Sequence, residues 1–435
     1  MSNFANENVP IRTSAQIETL GAEIICVGTE LLLGEILNSN AQFLAQELAA
    51  LGIPHYYQTV VGDNVRRVQA AIAIACERAR LLIFTGGLGP TPDDLTTEAI
   101  ADFFQSPLEE RPEIINDIAQ KYATRGRVMT ENNRKQALLP VGAAVLSNRT
   151  GTAPGMIWEA RPGLIILTFP GVPSEMQVMW REVAVPFLRS RGFGQTPIYS
   201  RTLRFWGITE SALAEKVAPL FDLTHPTVAP YAGKGEVRLR VSAKAGSEAE
   251  AQEAIAPVVA QIQHIAGADC YGQDDDTLAT VVGQLLQAAG HTLSVAESCT
   301  GGGLGSLLTT VPGSSRYFWG GVISYDNAVK ESLLGVNPDD LMQQGAVSSI
   351  VAEQMAQGVR SRLHTTWGLS ITGIAGPDGG SEEKPVGLVY IGLAGPENQV
   401  ESHRFLFGAS RGREWVRWLS ACSALDLLRR RLQAG

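Results

Sequence analysis

Three stretches in the last third of the chain carry residue types that could act on an amide. The first is Glu297-Ser298-Cys299-Thr300-Gly301-Gly302-Gly303. It follows Thr292–Ala296, which reads as a buried strand, so Ser298 falls on a strand-to-helix turn with its hydroxyl at a sheet edge. Glycines there let a carbonyl compound approach the backbone. The helix that follows is expected to offer free N–H donors to an oxyanion or a phosphate. This arrangement suits acyl transfer.

A hydroxyl is a poor nucleophile unless a base takes its proton. His291, His364 and His403 lie in ordinary element positions, outside the glycine-rich motifs. A Ser–Lys pair is the alternative to Ser–His, and the lysine available is Lys330, in Ser324-Tyr325-Asp326-Asn327-Ala328-Val329-Lys330. Burial beside a glycine-rich pocket would lower its pKa, and Tyr325 could relay or orient the proton. Each residue also has a plainer reading. Ser298 could be a helix cap, Lys330 a solvated surface lysine, and Cys299 the nucleophile in place of Ser298. The third stretch is the polar loop from Gly373 to Gly387, which opens after the strand Leu369–Thr372 and closes before Leu388–Ala394. A loop this glycine-rich costs conformational entropy and is expected to bind something through Gly373, Ala375, Gly376, Pro377, Asp378 and Gly379.

A second constellation lies near the N-terminus. Thr85-Gly86-Gly87-Leu88-Gly89-Pro90-Thr91-Pro92-Asp93-Asp94 follows the strand Leu81–Thr85, so its N–H groups could cradle a phosphate. The order is neither GxGxxG nor GxxxxGK[ST], which leaves a dinucleotide fold or a P-loop unsupported. Gly28-Thr29-Glu30 and Pro170-Gly171-Val172-Pro173-Ser174-Glu175 also follow strands, and all three turns should gather at one sheet edge. Asp63 and Asp94 are candidates for metal or ribose contact, with helix capping as the alternative.

These residues need a large scaffold, and 435 residues suffice for two or three domains. Strand and helix signals alternate through the first and last parts, as in an open, mostly parallel sheet. Between them lies a smaller α+β unit: a strand at Thr202–Trp206, a helix at Glu210–Leu220, a strand at Gly235–Ala243 and a helix at Glu248–Ile265. A net charge of −9 supplies no basic field for nucleic acid. The five cysteines are widely spaced and contain no CxxC pair, which argues against a disulfide framework or a zinc cluster. No run of roughly 18 apolar residues occurs, and the polar start lacks the pattern of a secretory signal, so a cytoplasmic protein without a membrane span is expected.

The motifs ESCTGG, SYDNAVK and GIAGPDGGSEEKPVG, in this order, resemble the competence/damage-inducible protein A (CinA) family over residues 275–430. The resemblance implies a metal-free and cofactor-free amidase that hydrolyses nicotinamide mononucleotide to nicotinic acid mononucleotide and ammonia. Ser298 would be the nucleophile, Lys330 the base and Tyr325 the neighbouring tyrosine. Thr300, Gly301 and Gly302 would fall in the phosphate and oxyanion region. Arg413 and Arg417 match an arginine pair facing the nucleotide, although the segment is slightly longer than the family pattern and Arg411 could replace Arg413.

GTELLLGEILNSNAQFLAQEL, TGGLGPTPDDLT, NNRKQALLP, NRTGTAPG and PGVPSEM are similar to the family's first domain, which is molybdopterin-binding-like and associated with metal-dependent ADP-ribose pyrophosphatase activity. That implies nucleotide contacts at Gly28, Thr29, Gly86, Gly87, Gly89 and Asp94, and a divalent metal ion near Glu30, Asp63 and Asp94. The family's middle region is KH-like, but Gly233-Lys234-Gly235 is not a GxxG clamp and no aromatic platform interleaves with basic residues, which argues against RNA. A spacer or dimerisation unit is the expectation.

The expected layout is α/β: a doubly wound molybdopterin-binding-like domain over residues 20–194, a small α+β KH-like domain over 195–272 and an α/β amidase domain over 273–432, forming a homodimer. The competing reading is a pterin- or nucleotide-binding partner protein in competence or the DNA-damage response, without catalysis.

Overall fold

The computed structural model describes residues 21–434 apart from Gln195. The polar N-terminal lead, and with it the reading of a missing secretory signal, lies outside the described residues. The chain divides into two compact units. One comprises residues up to Tyr199 with Lys244–Ala251, the other Ser200–Ala243 with everything from Gln252 onward.

The first unit is organised by β1 (Gly21–Val27), which is buried along its whole length. Burial on both faces is what a central parallel strand requires. The elements that follow are α1 (Ser39–Ala50), β2 (His55–Val61), α2 (Val65–Arg78), β3 (Ala79–Thr85), α3 (Thr96–Phe103), α4 (Pro112–Thr124), β4 (Ala144–Leu146), β5 (Gly155–Arg161), β6 (Leu164–Phe169) and α5 (Pro173–Met179). The sheet order is β2–β1–β3–β6–β5–β4. The first four strands are parallel, β5 pairs antiparallel with β6, and β4 pairs antiparallel with β5. Asn38 and Asn64 cap α1 and α2, accepting from Ala41 N at 3.1 Å and Arg67 N at 3.2 Å.

A charge in the middle of β1 escapes any hydropathy pattern. Glu23 is fully buried, and it accepts both guanidinium arms of Arg78 at 2.8 Å and the Thr59 hydroxyl at 2.7 Å. Removing Arg78 would leave the fully buried Glu23 carboxylate without its countercharge, at a cost of about 3 kcal/mol.

The second unit contains two sheets. The smaller is made by β7 (Ile198–Phe205), β8 (Thr227–Gly233), β9 (Glu236–Lys244) and β10 (Cys270–Gln273), in the order β8–β9–β7–β10. Its helices are α6 (Glu210–Lys216) and α7 (Glu248–Ala266). The helix expected over Glu210–Leu220 stops at Lys216 and gives way to a 3-10 turn at Ala218–Leu220, where Pro219 has no N–H to continue it.

The larger sheet begins after α8 (Leu278–Ala289), with β11 (Leu293–Glu297), α9 (Gly303–Thr309), β12 (Phe318–Ile323), α10 (Asn327–Leu334), α11 (Ser349–Leu363), β13 (Trp367–Gly373), β14 (Leu388–Ala394), β15 (Val400–Leu406) and α12 (Arg413–Ala434). The order is β12–β11–β13–β14–β15. β12, β11 and β13 are parallel, and β14 and β15 are antiparallel. The chain passes from β11 to β12 on one side and then to β13 on the other, so the carboxyl end of β11 is the topological switch point. Ser298 occupies that end.

Among the described residues no helix is long and apolar enough to cross a membrane.

Candidate functional site

The turn after β11 is pinned on both flanks. Ser298 N–H donates to Ile371 O at 2.9 Å, and Ser324 N–H donates to Glu297 O at 2.8 Å. Gly301 and Gly302 follow with φ of 58° and 94°, conformations a side chain resists. Ser298 is 9% exposed.

The helix N-terminus is not free, contrary to expectation. The Glu297 carboxylate accepts the N–H groups of Gly302 at 3.1 Å, Leu304 at 3.0 Å and Gly305 at 2.8 Å. Gly301 and Gly303 donate to Ser298 O and Thr300 O, both at 3.1 Å. Gly301 and Gly302 therefore shape the turn but offer no N–H to a ligand. A glutamate immediately before Ser298, able to reach the first turn of α9, was the signal that sequence reasoning passed over. Among the described residues the N–H groups of Cys299 and Thr300 have no backbone acceptor.

Lys330 is carried by α10, whose N-cap Asp326 accepts from Ala328 N at 2.8 Å. Its side chain is buried, and Nζ donates to Ser324 O at 2.8 Å and Tyr325 O at 3.0 Å. Burial holds its pKa below the ordinary lysine value, and the neighbouring Asp326 charge pulls it partly back. In the neutral amine those two bonds use both N–H groups and leave the lone pair available. Cys299 lies beside it, but burial, assisted by Glu297, pushes the thiol up to about 12, against Arg413 and Arg417, which pull the other way. A thiol held neutral is a weak competitor for the nucleophile role.

Tyr325 is exposed, and its hydroxyl accepts from Arg413 Nη2 at 3.1 Å. Only its backbone carbonyl meets Lys330, so no side-chain contact supports the proton relay considered from sequence. Arg413 Nη1 donates to Gly376 O at 2.8 Å. One arginine thus joins the start of α12, the SYDNAVK segment and the glycine-rich loop. Arg417 Nη2 donates to Thr300 O at 2.7 Å. In the loop, Ala375 and Gly376 are buried, whereas Pro377, Asp378 and Gly379 face solvent. Three polar side-chain atoms of the site, Thr300 Oγ1, Ser324 Oγ and Arg417 Nε, are buried without a partner among the described residues. Ser324 was not among the expected site residues.

The first unit has a cavity of about 460 Å³ at the carboxyl edge of its sheet, bordered by the glycine turns. Gly28, Gly86, Gly87, Gly89 and Asp94 line it, as expected, together with Glu30 and Asp63. Thr29 does not line it; its N–H and hydroxyl donate to Asp63 Oδ2 at 2.9 and 2.8 Å. A side chain at Gly86 would strike Val27 O, with its Cβ at 2.1 Å. Asn40, missed from sequence, donates to Thr85 Oγ1 and Gly171 O at 2.8 Å and keeps a buried, unpartnered Oδ1.

Glu30, Asp63 and Asp94 share this cavity but do not close into a cluster. Among the described residues no group of three or more His, Cys, Asp or Glu is placed to hold a metal ion. One oxygen of Asp63 is held by Thr29, and one of Asp94 accepts from Thr91 N at 2.9 Å. The three carboxylates are therefore not gathered into one ligand set in this structure. What remains fits a hard cation that brings its own phosphate ligands and takes one or two carboxylates from the protein.

With the geometry of both sites in view, comparison with known proteins places the chain. A CinA-like protein of Cyanothece sp. is 71% identical over 411 residues, covering 94% of this chain and 98% of that protein. The chain belongs to the CinA family. A CinA-like protein of Synechocystis sp. is 68% identical, covering 96% of this chain and all of that protein. The described families match in the expected order: "Probable molybdopterin binding domain" over residues 23–190, "Damage-inducible protein CinA KH domain" over 200–272 and "CinA C-terminal domain" over 275–432. Among solved structures, the competence/damage inducible protein CihA from Agrobacterium tumefaciens is 38% identical, with a TM-score of 0.35, covering 36% of this chain and 93% of that one. As a CinA member, the chain combines a molybdopterin-binding-like unit, a KH-like sheet and the CinA C-terminal sheet.

Proposed function

We propose that the C-terminal sheet is a serine amidase acting on the carboxamide of nicotinamide mononucleotide. The observation that carries this reading is Lys330, buried beside the Ser298 turn with both N–H groups of its neutral form engaged by carbonyls. The lone pair accepts the Ser298 proton as Oγ attacks the carboxamide carbon. The oxyanion is met by the N–H groups of Cys299 and Thr300. As the C–N bond breaks, Lys330 returns the proton to the departing ammonia. Water then attacks the ester, giving its proton to Lys330, and Ser298 is regenerated as nicotinic acid mononucleotide leaves. Arg413 and Arg417 hold the phosphate, since the amides of α9 are occupied by Glu297.

For the first unit the reading is hydrolysis of ADP-ribose in the cavity lined by Gly28, Gly86, Gly87 and Gly89 at the carboxyl edge of the sheet, where open α/β sheets bind ligands. A divalent ion arriving on the pyrophosphate would neutralise its charge, with Glu30, Asp63 and Asp94 as the available oxygen ligands. The KH-like sheet is read as a spacer or pairing unit in a cytoplasmic homodimer.

The deciding experiment is ammonia release from nicotinamide mononucleotide by the purified chain, with and without EDTA, beside Ser298→Ala. Release that survives EDTA and disappears in the variant supports the serine amidase. A folded wild-type protein that releases none would favour the competing reading, a pterin- or nucleotide-binding partner protein in competence or the DNA-damage response.

A further inference from the structure

Within the second unit a separate cavity of about 230 Å³ lies between the smaller sheet and helices α8, α9 and α12. Three aromatic side chains, Trp206, Tyr271 and Trp418, contribute to its wall, with Leu278, Leu307 and Leu425 supplying aliphatic surface. Its polar groups leave an uneven charge. Glu236 accepts the Tyr271 hydroxyl and takes Arg204 Nη1 on its two oxygens at 3.0 and 3.2 Å. A second guanidinium, Arg238 Nε, stands 3.6 Å from the same carboxylate. The one negative charge in the wall is therefore answered twice.

The positive side has capacity left over. Arg204 spends Nε on Asp274 O and Nη1 on Glu236, and among the described residues its Nη2 has no partner. Lys234 sits on a left-handed turn at φ 52°, its carbonyl held by Trp418 Nε1 at 2.9 Å. Its ammonium forms no ion pair among the described residues. Flat aromatic walls beside unspent cationic donors select a flat anion. The volume falls below the roughly 300–1,000 Å³ of sites for drug-sized ligands, which limits the guest to one or two rings.

We propose that this cavity binds a small planar aromatic carboxylate, with its ring against Trp206 and Trp418 and its carboxylate toward Arg204 and Lys234. Two of the lining helices also frame the Ser298 site. α9 starts at the Glu297-capped turn, and Trp418 follows Arg417 directly on α12.

The test uses the full chain and 6-fluoroindole-3-acetate, observed by fluorine NMR, with the corresponding neutral amide as control. The carboxylate line broadens in the presence of wild-type protein, and the amide binds about tenfold more weakly. Thr310→Trp plugs the cavity from an exposed position and abolishes the broadening. Lys234→Gln keeps the backbone bond to Trp418, weakens the carboxylate and leaves the amide unchanged. Ser298→Ala binds the probe as wild type does. Absence of broadening at millimolar probe, broadening indifferent to Thr310→Trp and Lys234→Gln, or broadening lost in Ser298→Ala would each overturn the proposal.

Discussion

The Glu297 carboxylate accepts the backbone N–H of Leu304 at 3.0 Å, and a glutamate thereby occupies the helix N-terminus that a phosphate would otherwise use. Two more amides converge on the same side chain, so the turn carrying Ser298 is built around a buried anion. Glu297→Ala would leave three donors without their acceptor. The expected loss is about 3 kcal/mol, measured by urea denaturation of the full chain, with Glu297→Gln losing less. A variant as stable as wild type would show that the carboxylate is not what holds the turn.

In the proposed reaction Lys330 supplies a pH signature. Since burial depresses its pKa, the fraction of neutral base rises with pH, and kcat/KM climbs along an alkaline limb centred below the ordinary lysine value. Lys330→Ala should remove that limb and lower kcat by roughly 100- to 10,000-fold, while KM changes little. A pure KM effect would make Lys330 a phosphate anchor.

The same shift sets a stability trend. Between the depressed folded value and the ordinary value the unfolded chain binds a proton that the folded chain does not, so stability rises with pH there. The contribution is complete above the ordinary lysine value and is lost as pH falls through the folded one. Wild type should therefore gain on Lys330→Met as pH is raised through that window in denaturation series.

Arg413 and Arg411 are separated by what they reach. Arg413→Ala removes the bonds to Tyr325 Oη and Gly376 O and is expected to raise KM for the mononucleotide by about tenfold or more. Arg411→Ala, two residues earlier on a solvent-facing turn, should stay near wild type. Equal losses in steady-state kinetics would contradict the assignment.

Asp94→Ala should lower metal-dependent ADP-ribose hydrolysis by roughly 10- to 100-fold and leave ammonia release untouched. Both activities can be read on one preparation. Loss of ammonia release would mean that the sites are assigned to the wrong units.

Much of the chain was legible before any coordinates. β1, β3 and β11 show as short apolar runs, and the glycine turns after strands as a ligand edge, because each signal is local in sequence. The candidate site was legible in its residue types, with Ser298, Lys330 and the arginine pair all recognisable. Glu23, paired with Arg78 and Thr59 from distant segments, could not be read, since a charge inside a strand has no local signature.

What the sequence determined by itself was therefore the alternation of the elements, the three-part family membership and the residue types offered as candidates for the site. The tertiary structure alone decided three further points. The amides of α9 belong to Glu297, Arg413 rather than Arg411 meets Tyr325, and Glu30, Asp63 and Asp94 share a cavity without closing into a metal cluster. The reason is the same each time: hydrogen-bonding capacity is spent on partners brought close by packing, and sequence spacing alone does not reveal which groups have already been claimed.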